Sequence, residues 1–135
     1  MGRFDGPNFY KEDIGIVSIW VSKVPEIEIP KNYFDENYSE DEEEPFNQFS
    51  SDFGFGFYDH DFAENAGVYG ETVEEKLKSA SYGKSFYKEA SANCKNSFAD
   101  AFYLIYDFVY DPKVTNITES KYYIFLGSFP YDKNS

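Results

Sequence analysis

Hydrophobic and polar positions alternate at period two in four blocks of the chain, and each block predicts a β-strand. Ile14–Ser22 places Ile14, Ile16 and Trp20 on one side and Val17, Ile19 and Val21 on the other. Both sides are apolar, so this is a central strand covered on two faces. In Phe53–Phe62, Phe53, Phe55 and Phe57 share one side and Asp59 and Asp61 continue it. Unpaired carboxylates are too costly to bury, so this strand is expected to leave the core near Tyr58 and present both aspartates at its open end. Phe98–Tyr110 sets Phe102, Leu104, Tyr106 and Phe108 against Tyr103, Ile105 and Val109, and Tyr122–Phe129 closes the series. These last two strands are expected to pair antiparallel with each other.

Between the strands the spacing becomes helical or breaks. Pro30 suits the first turn of a short helix through Tyr38, with Tyr33, Phe34 and Asn37 inward, and Pro45 starts a second at Phe46–Ser51. Ala66–Gly70 is a turn. Thr72-Val-Glu-Glu75 fits a capping box with Thr72 as N-cap, and the helix behind it turns Val73, Leu77 and Ala80 inward. Ser81-Tyr-Gly83 interrupts that helix; Ser85 caps another to about Asn96, with Phe86, Ala90 and Cys94 on its inner side. Asp111–Ser120 is a polar connection. Residues 1–13, with Gly2, Gly6 and Pro7, read as a flexible N-terminal arm, and 14–132 as one domain. The fold class is α+β: a four-stranded mixed or antiparallel sheet with helices packed on it. The order is strand, short helices, strand, helices, strand, strand.

Charge changes this picture most. Of 25 acidic residues in the 135, fourteen lie between Asp35 and Glu75, a stretch without Lys or Arg. The chain carries −13, so the rest is close to neutral and the acidity is local. A fold that tolerates such self-repulsion suits a cationic partner, although a solvated acidic loop has the same composition. This sign of charge argues against direct contact with nucleic acid or anionic lipid. With 21% aromatic residues, fifteen Phe and thirteen Tyr, the chain has the apolar groups a packed core needs and is not disordered as a whole. Cys94 is the single cysteine and no segment has the apolar core of a signal peptide, so a cytoplasmic location is expected.

Catalytic signals are thin. His60 and Cys94 are the only residues of their kinds, and Cys94 falls at helical spacing on an apolar face, where a small buried hydrophobe is the plain reading. Asp59-His60-Asp61 departs from the calcium-loop pattern because Ala63 sits where the third ligand belongs. Gly54-x-Gly56 lacks the third glycine of a nucleotide loop, and Trp20 reads as core. No cofactor or metal is expected. Acidic residues interleaved with Tyr33, Phe34, Tyr38, Phe46, Phe57, Tyr58, Phe62 and Tyr69 leave a binding signal: charges that raise the encounter rate around aromatic anchors. Phe34 and Phe57 are assigned to the core.

Several blocks in this order resemble a known family. They are Val17-Ser-Ile-Trp-Val21, Asp52-Phe-Gly54, Phe57-Tyr-Asp-x-Asp-Phe62-x-Glu64, a broken helix around Ser79–Phe86, Leu104-Ile-Tyr-Asp-Phe-x-Tyr110 and Phe125-Leu-Gly-Ser-Phe129. Together they are similar to the immunity protein 22 family, small bacterial cytoplasmic proteins encoded beside polymorphic toxins. The resemblance spans roughly residues 14 to 132. It implies a toxin inhibitor, not an enzyme, that binds the C-terminal domain of a cognate toxin. The charge adds that this toxin is basic, as a nuclease would be. Glu40, Asp41, Glu42, Glu43 and Glu44 are expected to steer it, and Tyr58, Asp59, Asp61 and Glu64 to make close contacts. The acidic run at 40–44 has no counterpart in the family pattern. Two alternatives stay open: a small metal-dependent hydrolase using Asp59, Asp61 and Glu64, and an acidic binding module for another basic protein.

Overall fold

The computed structural model describes residues 7–38, 46–66, 72–94 and 100–134. The architecture is α+β. Four strands, β1 (Ile16–Ser22), β2 (Ala63–Ala66), β3 (Phe102–Tyr106) and β4 (Tyr123–Pro130), form one sheet in the order β2-β3-β1-β4. All neighbours are antiparallel. The helices are α1 (Gln48–Asp52), α2 (Val73–Lys78), α3 (Gly83–Asn93) and α4 (Pro112–Thr115).

β1 is central, as its two apolar faces require. Val17, Ile19 and Val21 face a layer made by α2 and α3 through Leu77, Ala80, Phe86 and Ala90. Trp20 faces the opposite layer, a mass of aromatic rings carried mostly by segments without regular structure. It is fully buried and meets Phe49 edge-on at 5.0 Å and Phe125 at 5.3 Å. Each buried ring of this kind is worth roughly 1.5–3 kcal/mol, and edge-to-face pairing adds to that. The aromatic layer is thus a second core on the other side of the sheet.

Several expectations are corrected. The closing strands do not pair: β4 lies along β1, with Val17 opposite Phe129 and Ser22 opposite Tyr123, and β3 lies along the other edge of β1. The reason is that the doubly apolar strand needs a neighbour on each side, and the connection from Asp107 to Tyr122 is long enough to step across it. A register shift between Ile19 and Trp20 marks a bulge in which Ile19 faces Gly127 and Trp20 faces Phe125. Gly127 (φ +151) accommodates it, because a Cβ there would stand 3.0 Å from the Phe129 ring.

The second strand is Ala63–Ala66, not a segment starting at Phe53. Phe53 caps the end of α1, and Gly54 (φ +80) turns the chain back so that the Phe55 amide donates to Ser50 O at 2.9 Å. Phe53 and Phe55 are buried in the aromatic layer by ring packing, without a ladder, while Phe57 is 46% exposed and so is not core. The expected helix from Pro30 is a turn, in which Tyr33 N–H donates to Pro30 O. Its side chains still point inward: Tyr33 is fully buried and Phe34 stacks on Tyr103 at 4.0 Å.

The helical pair follows its signals closely. Thr72 Oγ1 accepts the Glu75 amide at 3.1 Å, the contact expected of the capping box. Tyr82 adopts a left-handed φ of 59° between the helices. Gly83, rather than Ser85, opens α3, and a Cβ there would lie 2.3 Å from Leu77 O, so the two helices meet more closely than any other residue permits. Of the expected arm, residues 1–6 lie outside the described residues, and Phe9 and Tyr10 lie against the domain. Phe9 is buried, its carbonyl accepts the Val109 amide at 2.9 Å, and Tyr10 bridges to Phe108.

Candidate functional site

Asp107 sets up one end of the sheet. Its left-handed backbone (φ 55°) ends β3 and reverses the parity of the chain. Tyr106 consequently faces the helical layer and Phe108 the aromatic layer, against the expectation of a single alternation. The Asp107 carboxylate is buried, and Oδ1 accepts the Gly15 amide at 3.0 Å and the Tyr131 hydroxyl at 2.7 Å. Lys133 Nζ stands 3.7 Å from Oδ2 and 3.0 Å from Asp13 Oδ1. These contacts tie the start of β1, the end of β3 and the C-terminal segment together.

Two clefts open beside this junction. The first, about 410 Å³, lies between Pro7–Tyr10, Gly56–Asp59 and the end of β3. The second, about 600 Å³, is lined by Asp61, Glu64, Ser81, Tyr82, Tyr131 and Lys133 among others. They share Phe62 and Tyr106, so they form one continuous concave face. Tyr10 and Phe62, with ring centroids 5.6 Å apart, form the ridge near their boundary.

The segment between Phe57 and Glu64 supplies most of this face. Asp59 caps a single 3-10 turn, His60–Phe62, by accepting the Asp61 amide at 2.9 Å. Asp59 and Asp61 are both exposed. His60 folds back over the aromatic layer, stacking on Tyr58 at 4.7 Å. Its Nε2 lies 3.0 Å from Phe34 O; a carbonyl only accepts, so this nitrogen carries the proton. Nδ1 makes no hydrogen bond but lies 3.3 Å from Glu36 Oε1. Through Nε2, His60 therefore clamps the Phe34 carbonyl onto the 58–62 segment.

Tyr58 is 3% exposed. Its hydroxyl meets Tyr103 Oη at 2.7 Å and accepts from Asn47 Nδ2 at 2.8 Å, and burial pushes both phenols well above their ordinary titration range. Tyr58 thus shapes the cleft from beneath. Glu64 is a clasp: Oε1 accepts the Ser81 amide at 3.0 Å and the Tyr106 hydroxyl at 2.8 Å, and Oε2 accepts the Ser81 hydroxyl at 2.9 Å. It pins the joint between α2 and α3 to β2. Glu40, Asp41, Glu42, Glu43 and Glu44 lie outside the described residues.

The electrostatics of the face are negative. Tyr10 titrates above its ordinary value, first because of partial burial and then because the carboxylates of Glu12, Asp107, Asp13 and Asp59 oppose its ionisation. Lys133 is the one cation in the lining of the two clefts among the described residues, and its hydrogen bond to Asp13 raises its pKa.

Among the described residues no group of three or more His, Cys, Asp or Glu is placed to hold a metal ion. Asp59 and Asp61 are neighbours in one turn, but Glu64 is committed to Ser81 and Tyr106. Cys94 packs on the helical layer and His60 on the aromatic layer, so the sheet separates them. No helix among the described residues is long and apolar enough to cross a membrane.

Sequence reasoning missed Tyr10, Asp107 and Lys133. Tyr10 lies in what reads as an arm, and Asp107 interrupts an apolar alternation, which is the one signal that could have marked it. No curated protein and no solved structure matches this chain. A family model described as Immunity protein 22 matches residues 17–132, from β1 through the segment that carries Tyr131. That match takes in both core layers apart from Phe9, and the concave face apart from Pro7, Asn8, Tyr10 and Lys133, and the chain belongs to the Immunity protein 22 family.

Proposed function

We propose that this protein is a binder, not an enzyme, that neutralises a basic bacterial toxin domain in the cytoplasm by holding it against its acidic side. The family supplies an immunity function. The observation that carries the rest is the concave face: exposed Asp59 and Asp61 flank an aromatic cleft on a chain of net charge −13. Charge of this kind accelerates encounter with a cationic surface, and aromatic groups that lose water on docking supply the lasting contacts. Glu40 to Glu44 act at long range, and Asp59 and Asp61 at short range. Tyr58 and Glu64 contribute through the shape of the face, as floor and clasp. A toxin that acts on nucleic acid has to be basic to hold its substrate, and an acidic inhibitor competes for that surface.

The test is calorimetry against the toxin domain encoded beside this chain, at low and high salt. Tight binding that weakens about tenfold or more when salt rises from ~0.05 to ~0.5 M is expected, since exposed charges are screened beyond the Debye length. Reversing Glu42, Glu43 and Asp59 to lysine should lower the association rate and flatten the salt dependence. Unchanged affinity and salt dependence in that triple variant would remove the acidic side from the interface.

A further inference from the structure

The first cleft has walls and a floor of distinct character. Tyr106 and Phe108 form a buried apolar floor, while Tyr10 (40% exposed) and Phe57 (46% exposed) offer ring surface at the walls. Asp59 stands on the lining, with one carboxylate oxygen fixed by the Asp61 amide and the other accepting no hydrogen bond among the described residues. Among the described residues the lining holds no Lys or Arg. The second cleft, by contrast, carries a cation of its own, Lys133, which pairs with Asp107 and Asp13.

We propose that the first cleft is an arginine pocket, which takes the guanidinium of one side chain presented by the toxin domain between the Tyr10 and Phe57 rings and against Asp59. The identity of the partner rests on the function proposed above; the chemistry of the pocket does not. A guanidinium is planar and weakly hydrated, lies flat on aromatic faces and pairs with a carboxylate through two parallel N–H donors. An ammonium keeps its water more tightly and gains less from such walls. A neutral apolar side chain fits the floor but leaves Asp59 desolvated and unanswered. The volume of about 410 Å³ suits one long side chain with a few waters. The carboxylates that oppose ionisation of Tyr10 act on an incoming cation with the opposite sign, and so draw it in.

Two measurements decide it. In the first, the whole chain is titrated with N-acetyl-argininamide, N-acetyl-lysinamide and N-acetyl-norleucinamide while its amide resonances are followed. Saturable shifts at Asn8, Gly56 and Asp59 are expected with the arginine compound at millimolar concentration, weaker ones with lysine and none with norleucine. They should be lost in Asp59→Asn, which keeps an acceptor for the Asp61 amide. In the second, affinity for the toxin domain is measured for Asp59→Asn, Phe57→Leu and the distal Glu28→Gln, with each melting temperature as a check on folding. Losses of about tenfold and about fivefold are expected for the first two, and none for the third.

Equal response to arginine and norleucine would overturn the pocket. So would full toxin affinity in both cleft variants, and the immunity function would then stand without it. Absence of toxin binding by the unmodified chain would instead overturn the functional proposal, and the small-molecule titration alone would judge the pocket.

Discussion

Glu64 offers a direct test of whether a carboxylate on the concave face serves structure. In Glu64→Ala the Ser81 amide and hydroxyl lose their acceptor, at 3.0 and 2.9 Å, and Tyr106 loses one of two. The Tyr106 hydroxyl has a single proton and also lies 2.6 Å from Ser81 O, so it keeps a partner and contributes little to the loss. Two hydrogen bonds to a charged acceptor remain. Fully sheltered, each would be worth about 1.5–3 kcal/mol; Glu64 is partly exposed and water can replace it, so about 1 kcal/mol each is the better figure. The expected total is about 2 kcal/mol, or a fall of roughly 7 °C in Tm for a chain of this size. Trp20 is the only tryptophan and is fully buried, so its fluorescence in a urea titration reports the transition. Glu64→Gln, which keeps acceptor capacity but not charge, should recover about half. A midpoint for Glu64→Ala within ~0.5 kcal/mol of the parent would refute the clasp. Glu64 would then be free to serve as a contact residue.

Two further outcomes follow from the buried polar groups. Ser18 Oγ, fully buried in β1, donates to Phe108 O at 2.6 Å and accepts the Tyr110 amide at 3.0 Å, so Ser18→Ala strands both groups and should cost about 1–3 kcal/mol in the same urea titration; a loss below ~0.5 kcal/mol would refute this. Burial holds the phenols of Tyr33, Tyr58, Tyr103, Tyr106 and Tyr123 protonated well past pH 10. Their folded pKa lies above the unfolded one, so stability is intact below pH 10 and falls as pH rises beyond it. Absorbance at ~295 nm should therefore show the exposed tyrosines ionising first and the buried group only together with unfolding; one smooth transition of all thirteen while Trp20 stays buried would contradict it.

Much of the frame is legible in the residues themselves. The doubly apolar Ile14–Ser22 block determines a central strand, because no other placement covers both of its faces. Thr72 with Glu75, and the break at Ser81–Gly83, determine the helical pair through backbone groups that only local side chains satisfy. The order of blocks along the chain also carries the family. Periodicity misleads where an aromatic ring packs as well without a ladder as with one. Phe53, Phe55 and Phe57 alternate like a strand yet sit on a turn, and the real edge strand, Ala63-Glu-Asn-Ala66, has neither alternation nor β-branched residues.

Strand order, the reversal at Asp107 and the concave face are tertiary decisions. β4 chooses β1 over β3 because pairing is settled by which strand needs cover, a property of the assembled sheet. Asp107 can take a left-handed, buried conformation only because Gly15, Tyr131 and Lys133 converge on it from opposite ends of the chain. The closed fold also brings Tyr10 and Phe57 into the lining of one cleft, beside an aspartate whose charge the sequence displays but whose neighbours it does not. Local sequence dictates what a residue can offer; only the closed fold dictates what stands next to it.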